Sequence, residues 1–101
     1  MYISKFKNEF IDELFKAILL LDNVDDCYRF FEDVCTVGEL QEIAQRLAVA
    51  KMLENSATYS EIVEKTGAST ATISRVKKSL FYGADGYKLV LKKLADHKTD
   101  V

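Results

Sequence analysis

Proline is absent from the 101 residues, and few segments alternate Val, Ile or Thr with polar residues as strands do. Nor is there a long apolar run. The longest, residues 17–21 (AILLL), is bounded by Lys16 and Asp22 and falls far short of the ~20 apolar residues of a membrane span. No membrane is expected as a partner. The opening MYISKFK lacks the organisation of a signal peptide, and a cytoplasmic protein is expected. Cys27 and Cys35 are the only cysteines; one disulfide is a thin framework, and both read as reduced, small apolar residues. His97, the single histidine, lies far along the chain from either cysteine, so no metal site is expected. No nucleophile–base pair stands out and no glycine-rich phosphate loop exists, so an enzyme is not expected.

What is present fits one small domain. Apolar residues make up 49% of the chain, enough for a real core. The net charge is −2, which as an average disfavours a polyanionic partner. Its distribution says otherwise. Residues 1–34 carry four basic and eight acidic side chains, and residues 69–101 carry seven basic and three acidic. Asymmetry of this kind can confine a polyanion to one end of a protein.

The helical period recurs along the chain. Phe6, Phe10, Ile11, Leu14, Phe15, Ile18 and Leu19 form one stripe, predicting an amphipathic helix over 4–21. Asp22-Asn23 ends it and caps a short second helix through Val34. Thr36-Val37-Gly38-Glu39 has the pattern of a capping box and opens a third helix that ends at Asn55-Ser56-Ala57. Thr58-Tyr59-Ser60-Glu61 repeats the pattern and opens a fourth, to Thr66. Gly67 suits a left-handed cap. Ser69 or Thr70 caps a fifth helix running to about residue 81; Gly83 and Gly86 bracket a turn, and a sixth helix covers 87–96. The fold class is all-α, with six helices. The aromatic-rich first helix reads either as core or as a dimer interface, where aromatics are enriched.

The fourth and fifth helices, joined through Gly67, have the spacing of a helix-turn-helix. Ile62 must face inward, Ala68 must be small where the helices meet, and Ile73 and Val76 must anchor the fifth helix from beneath. Val63 stands where many such motifs hold alanine. At ~100° per residue the outward stripe of the fifth helix is Ala71, Arg75 and Lys78, flanked by Thr72 and Ser74. Double-stranded DNA would meet that stripe and the helix start. Small residues at 69–72 allow close approach, and Thr70 and Thr72 offer hydroxyls and methyls to base edges. Arg75, Lys77 and Lys78 can pair with phosphate, and Tyr59 and Ser60 begin a helix whose free amides suit phosphate too. The expected DNA-binding set is therefore Tyr59, Ser60, Ser69, Thr70, Ala71, Thr72, Ser74, Arg75, Lys77 and Lys78. One motif offers few phosphate contacts; a homodimer doubles them on a palindromic site.

The residues Thr36-Val37-Gly38-Glu39, Gln45-Arg46, Leu53, Gly67-Ala68, Ala71-Thr72-Ile73-Ser74-Arg75 and Ser79-Leu80 resemble the Trp repressor family, without gaps from about Cys35 to Leu80 and with fitting helices on both sides. The acidic N-terminal part and Val76-Lys77-Lys78 look more like its YerC-type branch. The resemblance implies one Trp repressor-like domain over 1–101, an intertwined homodimer. Residues 1–35 would supply dimerising helices, 36–57 a core helix, 58–81 the helix-turn-helix and 87–96 the last helix.

The resemblance also implies a ligand pocket, at Thr36, Arg46, Arg75, Val76 and Ser79. Two departures disfavour tryptophan there. The position of Val76 is glycine in tryptophan binders, and Asp33 and Cys35 stand where apolar residues line the pocket; a carboxylate beside an indole slot is costly. No cofactor is expected, and neither tryptophan nor another small-molecule corepressor is favoured. The expected function is a dimeric, repressor-like, sequence-specific transcription regulator. The competing reading is a protein-interaction module on the same scaffold without DNA readout, which the acidic net charge favours.

Overall fold

The structure, a computed structural model, describes residues 1–97. Among these residues there are six helices and no strand: α1 (Glu9–Leu19), α2 (Val24–Val34), α3 (Val37–Glu54), α4 (Tyr59–Thr66), α5 (Thr70–Tyr82) and α6 (Gly86–His97). The chain divides into two compact units, Met1–Gly38 and Glu39–Val101.

In the first unit α1 is shorter than the 4–21 expected from its apolar stripe. Asn8 is extended (φ −156°, ψ 169°) and its side chain accepts the Ile11 amide, at 2.8 Å. That cap sets the start, although Phe6 continues the apolar period beyond it. Upstream, the Phe6 amide donates to the Ser4 hydroxyl at 3.0 Å. At the other end the Leu20 and Leu21 amides donate to the Ala17 and Ile18 carbonyls, both at 3.1 Å, a three-residue closure that ends the helix. Asn23 caps α2 by accepting the Asp26 amide at 2.8 Å, and Asp25 and Asp26 complement the helix dipole there. The Phe30 and Phe31 rings meet edge-to-face, 5.4 Å apart. Cys27 is exposed and Cys35 half-buried, both as free thiols. No residue of α1 or α2 is buried.

The second unit holds the buried core. Val49 and Ala50 come from α3, Ile62 from α4, Ala68 from the turn, and Ile73, Val76 and Leu80 from α5. Met52, Leu53, Ala57, Tyr59, Tyr87 and Leu91 pack around the cluster. Ser56, left-handed at φ 62°, ends α3 where the Asn-Ser-Ala segment was expected to. α5 packs against α4 and against α6. Asp85 takes the left-handed conformation in the α5–α6 turn, at φ 64°, and its carbonyl receives the Leu89 amide at 3.0 Å. α6 thus begins at Gly86 and runs to His97, one residue beyond 87–96 at each end.

Candidate nucleic-acid interface

The start of α4 is the capping box read from the sequence. The Glu61 amide donates to the Thr58 hydroxyl at 3.2 Å, and the Thr58 amide donates to Glu61 Oε1 at 2.8 Å. Hydrogen bonding by Thr58 to the carboxylate, from its backbone amide foremost and then from its side chain, holds the Glu61 carboxyl below its usual pKa. α4 ends at Gly67, left-handed at φ 73°, whose amide donates to the Val63 carbonyl. Thr66 knits the turn together. Its hydroxyl donates to the Ile62 carbonyl at 2.7 Å and accepts the Ala68 amide at 3.1 Å. Ser69 then caps α5, accepting the Thr72 amide at 3.1 Å.

Ile62, Ala68, Ile73 and Val76 are buried together as the motif demands. Val63 is 39% exposed, so the bulk that replaces alanine there lies partly in solvent.

The expected DNA-binding residues divide into a crest and two flanks. Ser60, Ser69, Thr70, Ala71, Ser74, Arg75, Lys77 and Lys78 are exposed; Tyr59 and Thr72 are half-buried. On one flank Thr72, Arg75, Val76 and Ser79 join Glu42, Gln45 and Arg46 of α3 and Tyr87 of α6 around an open cavity of about 380 Å³. Arg75, placed on the outward stripe by its helical angle, therefore also walls this cavity. The Thr72 hydroxyl is engaged locally, accepting from the Ser69 hydroxyl at 3.1 Å. On the other flank the Tyr59 hydroxyl lies 3.4 Å from the Ser74 hydroxyl, and Lys77 Nζ stands 5.9 Å from the Tyr59 ring centroid. The crest left between them is Thr70, Ala71 and Lys78.

The cavity gathers four of the five residues that the resemblance assigned to a ligand: Arg46, Arg75, Val76 and Ser79. Thr36 belongs to the first unit. Sequence reasoning missed Glu42, Gln45, Thr72 and Tyr87 as lining. Glu42 and Gln45 precede Arg46 by four residues and one, so Glu42 shares its helix face, a signal that was available; Tyr87 sits on a separate helix and carried none.

Comparison with known proteins agrees with this geometry along nearly the whole chain. The family model "Trp repressor protein" matches residues 9–95. Uncharacterized protein YerC of Bacillus subtilis (strain 168) is 49% identical over 100 residues, covering 99% of this chain and 96% of YerC. The crystal structure of a TrpR like protein from Eubacterium eligens ATCC 27750 superposes with a TM-score of 0.87 at 55% identity, over 90% of this chain and 94% of that one. A crystal structure from Staphylococcus aureus gives the same TM-score, 0.87, at 52% identity, over 94% and 95% of the two chains. With its helix-turn-helix set among six matching helices, this chain belongs to the Trp repressor family, whose members are DNA-binding transcription regulators and not enzymes.

Proposed function

We propose that the protein is a homodimeric, repressor-like regulator that binds a palindromic operator in double-stranded DNA and does so without tryptophan. The observation that carries the last point is Val76. It is 2% exposed and part of the core beneath α5, at the position that the resemblance makes glycine in tryptophan-responsive relatives. Its branched side chain occupies space an indole needs and braces α5 by packing alone. The cavity wall also carries the Glu42 carboxylate, a costly neighbour for an indole ring. No small-molecule corepressor is required in this reading.

Dimerisation is supported by the apolar surface that a single chain leaves in water. Phe6, Phe10, Leu19 and Leu20 are 69%, 79%, 82% and 84% exposed. Leu89, Val90 and Leu94 of α6 are exposed as well. Large apolar patches of this kind mark interfaces, and a closed two-fold dimer uses the same patch on both copies. Two helix-turn-helix motifs on one dimer would set half-sites about 34 Å apart.

The test is selection of bound duplexes from a random pool, with and without free amino acids. An enriched palindrome is expected in both arms. Enrichment only with tryptophan would overturn the effector-free reading, and a protein that sediments only as a monomer at micromolar concentration would overturn the dimer. If even arbitrary duplex DNA is not bound in a salt-dependent way, the protein-interaction reading takes its place.

A further inference from the structure

Tyr59 links the core of the motif to its outer surface. As the first residue of α4 it is half-buried and packs on the cluster formed by Ile62, Ala68, Ile73 and Val76. The residues that clamp α4 to α5 therefore also fix its ring. Its hydroxyl reaches the Ser74 hydroxyl on α5, at 3.4 Å. Lys77 follows Ser74 by three residues on the same flank, and its ammonium stands 5.9 Å from the ring centroid, within the range of a cation–π contact.

Lys77 has no carboxylate partner among the described residues, whereas Lys92 pairs with Asp96 at 3.8 Å. An exposed lysine ordinarily samples many rotamers and loses that freedom when it binds. A ring face restricts the sampling beforehand without neutralising the charge. Tyr59 is itself the first residue of α4, and the dipole at a helix start favours an anion.

We propose that Tyr59 is a positioning residue of the DNA-binding surface: its ring holds the Lys77 ammonium at the seam between the start of α4 and the outer side of α5, where it meets a backbone phosphate of double-stranded DNA. This rests on the DNA-binding reading given above. Charge alone leaves Lys77 and Lys78 equivalent; the ring contact separates them.

The experiment titrates the full chain against a labelled duplex of arbitrary sequence over a range of salt concentrations. Lys77→Gln should lower the slope of log affinity against log salt by about 1 for each motif engaged. Tyr59→Leu should lower it equally, and the double variant should go no further than either single one. Tyr59→Phe, which keeps the ring, should keep the slope. A structural role of Tyr59 does not mimic the result: partial unfolding lowers apparent affinity at every salt concentration and leaves the slope alone, and a displaced α5 would lose further phosphate contacts and lower the slope by more than Lys77→Gln does. A wild-type slope in Tyr59→Leu, or additive effects of the two substitutions, overturns the proposal.

A second measurement needs no DNA. The Lys77 side-chain methylene protons should be shifted upfield by the ring in wild type and Tyr59→Phe, and should return to random-coil positions in Tyr59→Leu. Random-coil positions in wild type overturn the ring contact itself. Shifted protons in a protein that shows no salt-dependent DNA binding overturn the phosphate role and the DNA-binding reading together, while leaving the contact standing.

Discussion

The side-chain amide of Gln45, on α3, donates to the carbonyl of Thr66 at the end of α4, at 3.1 Å. A helix outside the motif thereby satisfies one of the carbonyls that the end of α4 leaves open. The Thr66 hydroxyl meanwhile serves the Ile62 carbonyl and the Ala68 amide. Ala68 is 1% exposed, so water cannot easily replace that hydroxyl. Thr66→Val should cost about 1–3 kcal/mol, the penalty of an unsatisfied buried amide. Gln45→Leu should cost no more than about 1 kcal/mol, because the half-buried carbonyl keeps some access to water. Urea unfolding with unchanged slopes checks both values and their order.

Two glycines are held by different constraints, and their alanine variants should rank accordingly. Gly67 is left-handed at φ 73°, with nothing within 4 Å of an added Cβ. Gly67→Ala therefore meets only backbone strain, about 1–2 kcal/mol. At Gly83 an added Cβ would lie 2.3 Å from the Ser79 carbonyl oxygen, the same atom that accepts the Gly83 amide at 2.9 Å. The end of α5 must shift, and Gly83→Ala should be the more damaging of the two, up to about 3 kcal/mol. Thermal melts of the pair check the ranking; equal losses would contradict it.

Glu61 gives the stability a pH dependence of known sign. Its carboxyl lies below its usual 4.5 because Thr58 donates to the charged form. Stability from a depressed carboxylate is fully present above the unfolded value and is lost as pH falls through the folded one. Wild type should weaken on acidification below about pH 4.5, and Glu61→Gln should flatten that part of the curve. The glutamine oxygen can still accept the Thr58 amide, so the two proteins should converge in acid. Urea midpoints across the pH range check this; parallel curves would show that Glu61 does not contribute.

Features that depend on neighbours in sequence were legible. The Thr58–Glu61 box, the Gly67 cap and the inward set of Ile62, Ala68, Ile73 and Val76 follow from local bonding and helical angle, and the structure holds each of them. What depended on a third element was not. Helical angle put Arg75 on the outward stripe, but only the positions of α3 and α6 decide that it also walls a cavity with Glu42 and Tyr87. The contact of Lys77 with Tyr59 crosses two helices and leaves no periodic trace. The start of α1 misled for a different reason: exposed Phe6 continues the apolar period past the Asn8 cap, and periodicity does not distinguish an apolar residue awaiting a partner surface from one inside a helix.

Val76 tests the bracing role most directly, through Val76→Gly. The substitution removes a side chain worth about 1.5–3 kcal/mol of burial and puts glycine inside a helix at a further cost of about 0.5–1 kcal/mol. If packing by Val76 holds α5 in place, the variant should bind DNA more weakly than Val76→Ala, which keeps the helix propensity and loses only the branch. Added tryptophan should not restore binding to either. Removing the branch enlarges the cavity but leaves the Glu42 carboxylate in its wall, which disfavours an indole on desolvation grounds. Calorimetry and DNA binding on the same three proteins decide the matter. Tight tryptophan binding by wild type would show that the valine does not close the site. Rescue of Val76→Gly by tryptophan would show that the one side chain, and not the Glu42 carboxylate, decides whether an indole enters the cavity.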